Sequence, residues 1–396
     1  MINRPIKIAM VAACPFPYPR GTPVRILRMA EALGKRGHEV HVITYHLGEE
    51  IKDIPFKIHR IPDVKTYRKY SPGPTYQKLF FVDPLLAVKL FQFLTTWEID
   101  LIHAHNYEGL FVSFCVKKWT KHPLVYDAHT LLESEFPFYE ELGLPEKIKK
   151  GIAQRFDRLL PKRSDHIITV TERIKSKLIQ DAGVAPENIT VITNGVESEL
   201  FDVVLDGYES SKNDKKTIVF SGNLAPYQGI DLLLKAFKQV LDGRRNTRLL
   251  IISDFPFNCY EPLANALKIR EYIDVVSSEF KDLPQYLAGA DIALNPRTDC
   301  DGIPQKLLNY MAAAKPIVSF EGSAKSIEHG KTGWIVENGN VAAFAKAILF
   351  LLENPLLAQR LGENAREYVT SKHTWEKVAE ETEVVYEHIF KNRKPK

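Results

Sequence analysis

Between Leu294 and Val318 the chain places an Arg, two Asp, a Gly-Ile-Pro turn, a Lys and an Asn within a few turns of one another. Arg297 and Lys306 bracket Gly302, Ile303 and Pro304. A guanidinium can grip a phosphate bidentately, and an ammonium can hold one as a point charge. Pro304 stands just inside the start of a short helix, where its missing N–H costs nothing. The free backbone N–H groups of that first turn form an anion site. Asp301 and Asn309, eight residues apart, supply an acceptor and a side chain that both accepts and donates. Asp301 also reads as a cap for the helix. Asp299-Cys300-Asp301 has the spacing of an acidic metal pair, but no strand–hairpin context accompanies it.

Three further stretches carry candidate chemistry. Ser221-Gly222-Asn223-Leu224-Ala225-Pro226-Tyr227-Gln228-Gly229-Ile230 is a strand–loop–helix junction with glycines at both ends, and glycine lets backbone approach a phosphate closely. Val125-Tyr126-Asp127-Ala128-His129 ends a buried strand on a histidine, with Asp127 and Glu133 available to orient it. His103 and His105 alternate onto one strand face. With no third ligand evident in the sequence, packing and cleft lining are the expectation for that pair.

The elements that must position these groups are legible as period and punctuation. Ile6–Ala13 is a continuous apolar run, the mark of a buried parallel strand. A proline-rich loop from Pro15 to Pro23, containing Gly21, leads to helical spacing over Val24–Lys35. Gly37 then precedes the strand Glu39–Thr44. Strands are expected again at Leu101–His105, Leu124–His129, Asp165–Thr171 and Ile189–Thr193. The turn Asn194-Gly195-Val196 has a glycine suited to positive φ. The second half restarts with Thr217–Ser221, a helix Ile230–Leu241, and strands Arg248–Ser253, Ile292–Asn295 and Ile317–Phe320. Glu197–Lys216, with its Ser210–Lys216 polar run, reads as a linker. The last helix is expected from about Trp375 to Lys391.

Composition bounds the rest. The 396 residues suffice for two domains, and 45% hydrophobic with 26% charged residues is a globular balance. A net charge of +4 is too small to argue for nucleic acid. Residues 1–200 hold 28 Lys+Arg against 23 Asp+Glu, so the excess sits in the first half. The four scattered cysteines suggest reduced thiols and a cytoplasmic setting. No signal-peptide pattern or membrane-spanning run is evident. The basic, partly amphipathic stretch 147–163 and the basic-aromatic segment 57–78 suggest peripheral contact with the inner face of a membrane.

Taken in order, these motifs resemble the family-4 glycosyltransferases of the GT-B fold, from the first strand to the last helix. The resemblance implies an α/β chain of two Rossmann-like doubly wound domains facing a central cleft. Residues 1–195 would form the acceptor-side domain, with helix 376–396 packing back on it, and 196–375 the nucleotide-sugar domain. It implies retaining, metal-independent transfer from a UDP- or GDP-sugar to a glycan or lipid-linked acceptor in cell-surface polysaccharide or glycoconjugate synthesis, with the nucleotide sugar as co-substrate and no cofactor. Its site residues would be His129 and Asp301 at the transferred sugar, with Gly21, Gly222, Asn223, Gln228, Arg297, Gly302, Ile303, Pro304, Lys306 and Asn309 at the donor. Two departures stand out. The family's Arg and Lys of the glycine loop are Asn223 and Gln228 here, and its two Glu are Asp301 and Asn309. Arg297 and Lys306 are then the cations available for a diphosphate. A non-catalytic sugar-nucleotide sensor or partner subunit, and a nucleotide-sugar epimerase, are the alternatives.

Overall fold

A computed structural model describes residues 4–18, 21–71, 73–139, 141–205, 215–300 and 302–392. The chain divides into two compact units, Met1–Asn194 with Trp375–Lys396, and Gly195–Thr374.

The first unit is a seven-stranded sheet. In chain order its strands are β1 (Lys7–Ala12), β2 (Glu39–Thr44), β3 (Lys57–Arg60), β4 (Leu101–His105), β5 (Leu124–Ala128), β6 (His166–Thr169) and β7 (Ile189–Val191). The spatial order is β3-β2-β1-β4-β5-β6-β7, with every pairing parallel. Parallel strands covered on both faces need continuous apolar runs. β4 and β5 comply, each buried at all five positions. One face packs Ala9, Ile43, Ile102 and Tyr126 under helices Asp83–Thr96 and Asn106–Thr120. The other packs Ile8, Met10 and Val125 under helices Gly21–Lys35 and Trp375–Asn392. That last helix is fixed by Arg36 and His38, both of which reach Glu383, at 2.7 and 2.9 Å.

The second unit repeats the logic with β8 (Lys216–Ser221), β9 (Thr247–Ile252), β10 (Ile273–Val276), β11 (Ile292–Asn295), β12 (Ile317–Phe320) and β13 (Trp334–Val336). The order is β10-β9-β8-β11-β12-β13, again all parallel. The chain entering this unit and the chain leaving it are bridged, Val196 against Thr374.

Several expectations need correction. Gly21-Thr22-Pro23 is the first turn of helix Gly21–Lys35 rather than the end of a loop. Proline is tolerated there because that N–H has no intrahelical partner. Pro304 sits one residue before its helix, Gln305–Ala312, as the N-cap residue. Gly195 is absent from the glycines with positive φ, so its turn needs no left-handed backbone. Ser198–Leu205 is a helix of the second unit rather than linker; Ser210–Asp214 lie outside the described residues. The basic stretch 147–163 is a helix, Glu146–Leu159, followed by a 3-10 turn at Pro161–Arg163. Three strands escaped the sequence reading: β3, inside the basic-aromatic segment, and the short outer strands β10 and β13.

Candidate active site

In each sheet the connections reverse direction beside the first strand, between β1 and β4 and between β8 and β11. Open α/β sheets bind ligands at the carboxyl ends of the strands flanking such a point. Both candidate donor segments of the second unit grow from those two strands: β8 runs into Gly222–Gly229, and β11 into the loop that begins at Pro296.

These two loops are locked together by backbone fit. Gly229 has φ +73, and a Cβ there would run into the Pro296 carbonyl oxygen. Gly322, just past β12, leaves no room for a Cβ beside the Thr298 carbonyl oxygen. Asn295 donates to the Ser319 and Ser323 hydroxyls at 2.8 and 2.7 Å, tying the ends of β11 and β12. The Tyr310 hydroxyl accepts from the Ser221 backbone N–H at 2.7 Å, which pins helix Gln305–Ala312 against β8.

On this frame Lys306 reaches across to the other loop. Its Nζ donates to Gln228 Oε1 at 2.7 Å and lies 3.9 Å from the Phe220 ring centroid. A methyl group at Gly222 would sit 3.3 Å from that nitrogen. Gln228 in turn donates to Asn223 Oδ1 at 3.3 Å, and Asn223 donates to the Tyr227 hydroxyl at 3.0 Å. Arg297 lies over the Tyr227 ring, 4.9 Å from its centroid, and its Nε donates to the Asp299 carbonyl at 2.6 Å. Burial drives the Lys306 ammonium well below its ordinary range, and the Arg297 charge pushes it the same way. Among the described residues Lys306 has no carboxylate ion-pair partner. Asn309 is buried on the same helix, and its Oδ1 has no hydrogen-bond partner.

The structure therefore brings together Gly222, Asn223, Gln228, Arg297 and Lys306. Gly302, Ile303 and Pro304 lead into the helix that carries Lys306 and Asn309. Asp301 lies outside the described residues. Gly21 and His129 belong to the first unit. Tyr227 and Phe220 went unremarked in the sequence, since an aromatic in a strand or loop carries no mark of the cation above it.

The first unit has its own polar centre. Asp127, at the end of β5, is fully buried and forms a two-point pair with Arg25, Nε to Oδ2 at 2.9 Å and Nη2 to Oδ1 at 3.2 Å. Arg25 also donates to the carbonyls of Ile192 and Thr193 and to Asn194 Oδ1, each at 3.0 Å. Three imidazoles surround the same carboxylate: His105, His129 and His103 at 3.4, 3.5 and 3.6 Å. Burial would raise the Asp127 carboxyl, but Arg25 and the imidazoles hold it well below the ordinary range. Burial pushes His105 down to about 3, and His129 down as well.

Two expectations change here. His103 and His105 share a face, with rings stacked 4.4 Å apart, and Asp127 is a third group whose ligand atom lies within 4.8 Å of theirs. Arg25 already engages both oxygens of that carboxylate. His129 has both ring nitrogens engaged, Nδ1 with Thr22 Oγ1 at 3.1 Å and Nε2 with His105 Nδ1 at 3.3 Å. Glu133 does not orient it, and instead accepts from Gln154 at 2.9 Å. Arg25 was missed although it had a signal, since it shares a helical stripe with buried Met29 and Ala32.

Comparison with known proteins turns this geometry into an assignment. The family described as Glycosyltransferase Family 4 matches residues 19–200, and Glycosyl transferases group 1 matches residues 215–354. The two consecutive matches take in most of both units. The chain belongs to the family-4 glycosyltransferases of the GT-B fold. It is an enzyme, a glycosyl-transferring transferase. It is similar to an uncharacterized glycosyltransferase of Methanocaldococcus jannaschii, 27% identical over 96% of this chain and 98% of that one. Among solved structures it shares its fold with sucrose-phosphate synthase of Thermosynechococcus elongatus, at TM-score 0.80 and 17% identity over 98% of this chain and all of that one. It also shares it with HepE of Anabaena, crystallised in complex with UDP, at TM-score 0.71 and 17% identity over 97% and 100%.

Proposed function

We propose that this glycosyltransferase uses a nucleotide diphosphate sugar, UDP- or GDP-linked, and that the β8 and β11 loops of the second unit hold the diphosphate. The observation that carries the reading is Lys306. It is a desolvated ammonium held against Gly222 and Gln228 at the switch point of the sheet, beside a helix N-terminus. A buried cation is stabilised by an anion brought to it. Diphosphate charge fits this need, and Arg297, one loop turn away, can share it. Asn309 Oδ1, buried without a partner, suits a ribose hydroxyl. HepE, which shares the fold, was crystallised with UDP, and that supports a nucleotide-linked donor here.

In this reading the bond between the sugar C1 and the diphosphate oxygen breaks. C1 bonds the acceptor oxygen with retention, and the acceptor proton leaves with the diphosphate. Lys306, Arg297 and the helix N–H groups take up the charge that develops on the leaving group, and no metal is needed for that task. Burial lowers the His129 imidazole, and His129 acts by positioning, a sugar hydroxyl replacing Thr22 Oγ1 on its Nδ1. The acceptor is a glycan or lipid-linked sugar in cell-surface polysaccharide or glycoconjugate synthesis, reached from the cytoplasmic side.

The test is transfer of label from a panel of UDP- and GDP-sugars to membrane lipids and to glycans. Wild type should transfer from at least one donor, and His129→Ala should lower kcat more than it weakens nucleotide binding. Nucleotide binding with no transfer from any donor would contradict the reading.

A further inference from the structure

The segment from Tyr76 to Trp97 inverts the usual surface helix. The wide turn Lys78–Val82 and the helix Asp83–Thr96 that follows it bury Lys78 and Asp83 along with Leu86, Leu90 and Phe93, and leave Lys89 half-buried. Lys78 meets Glu108, and Asp83 accepts from the Tyr45 hydroxyl. The exposed side is largely apolar instead: Phe80 is 67% and Phe81 62% exposed, with Leu79, Val88, Phe91 and Trp97 beyond them and Gln92, Thr95 and Thr96 as the helix's exposed polar residues. From Pro84 to Trp97 the chain contains no Asp or Glu. An 18-residue stretch within Lys78–Thr96 has a mean hydropathy of 1.5, that of a membrane segment, yet only a third of it is buried.

The patch continues onto its neighbours. Helix Asn106–Thr120, packed beside it, exposes Phe111, Phe114 and Trp119, the last at 74%. Phe111 lies 6.2 Å from Phe156 of helix Glu146–Leu159. That third helix exposes Ile148, Ile152 and Leu159 among Lys147, Lys150, Arg155 and Arg158, against one exposed carboxylate, Glu146. An apolar face this broad, rimmed by cations, marks an interaction surface. A second copy docked about a two-fold axis would set like charges against each other. An anionic bilayer matches both parts of the surface, acyl chains under the aromatics and headgroups under the basic rim.

We propose that this face of the first unit docks on an anionic lipid bilayer, with Phe80 and Phe81 as the inserted anchors. The basic helix Glu146–Leu159, read in the sequence as the membrane contact, is the rim beside them. The helix lies in the plane of the bilayer, because its other face is committed to the sheet core through Leu86, Leu90 and Phe93. The inference holds whichever donor sugar the second unit binds.

Flotation of the full chain with vesicles tests it. Protein should rise with phosphatidylglycerol-rich vesicles, far less with pure phosphatidylcholine, and less as salt is raised. The double variant Phe80→Glu/Phe81→Glu should lose at least about tenfold in partitioning, as expected for losing one buried aromatic. Its thermal melt and nucleotide binding should stay unchanged. Lys150→Glu/Arg155→Glu should lose binding to the anionic vesicles specifically. Wild type that stays unbound in both vesicle types would overturn the proposal, as would a Phe80/Phe81 variant that floats like wild type. A vesicle-free dimer that the Phe80/Phe81 variant converts to monomer would also overturn it, in favour of self-association.

Discussion

Arg25 and Asp127 leave water together, at 2% and 0% exposure, and every polar atom they bring is paired within the first unit. Removing one member strands the other, a loss on the order of 3–5 kcal/mol. Asp127→Ala should therefore lower the urea midpoint of the first unit steeply, more than a change at exposed Glu98. The same centre sets an acid limit. In the unfolded chain an imidazole takes its proton near pH ~6.5, whereas folded His105 does so only at about 3. Between those values the unfolded state binds more protons, so stability falls as pH falls through that window. The depressed Asp127 adds the same sign at lower pH. Urea midpoints measured from pH 7 down to pH 4 should decline, and the decline should flatten in His105→Asn. Lys306 gives the opposite experiment. Burial depresses its folded-state range, and an arriving diphosphate raises it again. Nucleotide binding should then take up a proton and weaken as pH rises, seen as a heat of binding that depends on the buffer's ionisation enthalpy.

At the scale of elements, the site is held by close backbone contacts between loops rather than by side chains alone. Gly229 combines a left-handed φ with contact against Pro296. Gly229→Ala should cost stability and displace the Arg297 loop, weakening nucleotide affinity while leaving β8 and its helix intact; calorimetry and amide exchange of Ile230–Gly243 would separate the two effects. The strands flanking both switch points were legible as apolar runs: Leu101–His105 and Ile292–Asn295 were read with their observed bounds. The short outer strands β3, β10 and β13 were not, because a few residues with partly exposed faces lack both periods. The helix start at Gly21 was hidden by the prolines around it. Partner identity was the least legible part of the site. Spacing placed Lys306 on the first helical turn, but only the fold shows that it bends over Phe220 to Gln228.

For the whole molecule, the two units differ in how the chain builds them. The second is one continuous stretch, Gly195–Thr374, with its own core. The first is closed by a helix from the far end of the chain, whose Trp375, Tyr386 and Ile389 pack under β1 and whose Tyr386 hydroxyl meets His103 at 2.6 Å. A fragment spanning 195–374 should fold cooperatively alone. A chain ending at Thr374 should keep the second unit's thermal transition and lose the first's, as calorimetry would show. The two-domain α/β plan and the family were readable from motif order. The reach of Lys306 and the burial of Arg25 were not, since both depend on contacts between segments distant in sequence. The central claim, that the β8 and β11 loops bind a diphosphate through Lys306, is tested most directly by titrating UDP and GDP into wild type and Lys306→Met. Loss of one charge-assisted bond should weaken the preferred nucleotide by about 10- to 100-fold and abolish the linked proton uptake. Equal affinity and equal proton uptake in the two proteins would contradict it.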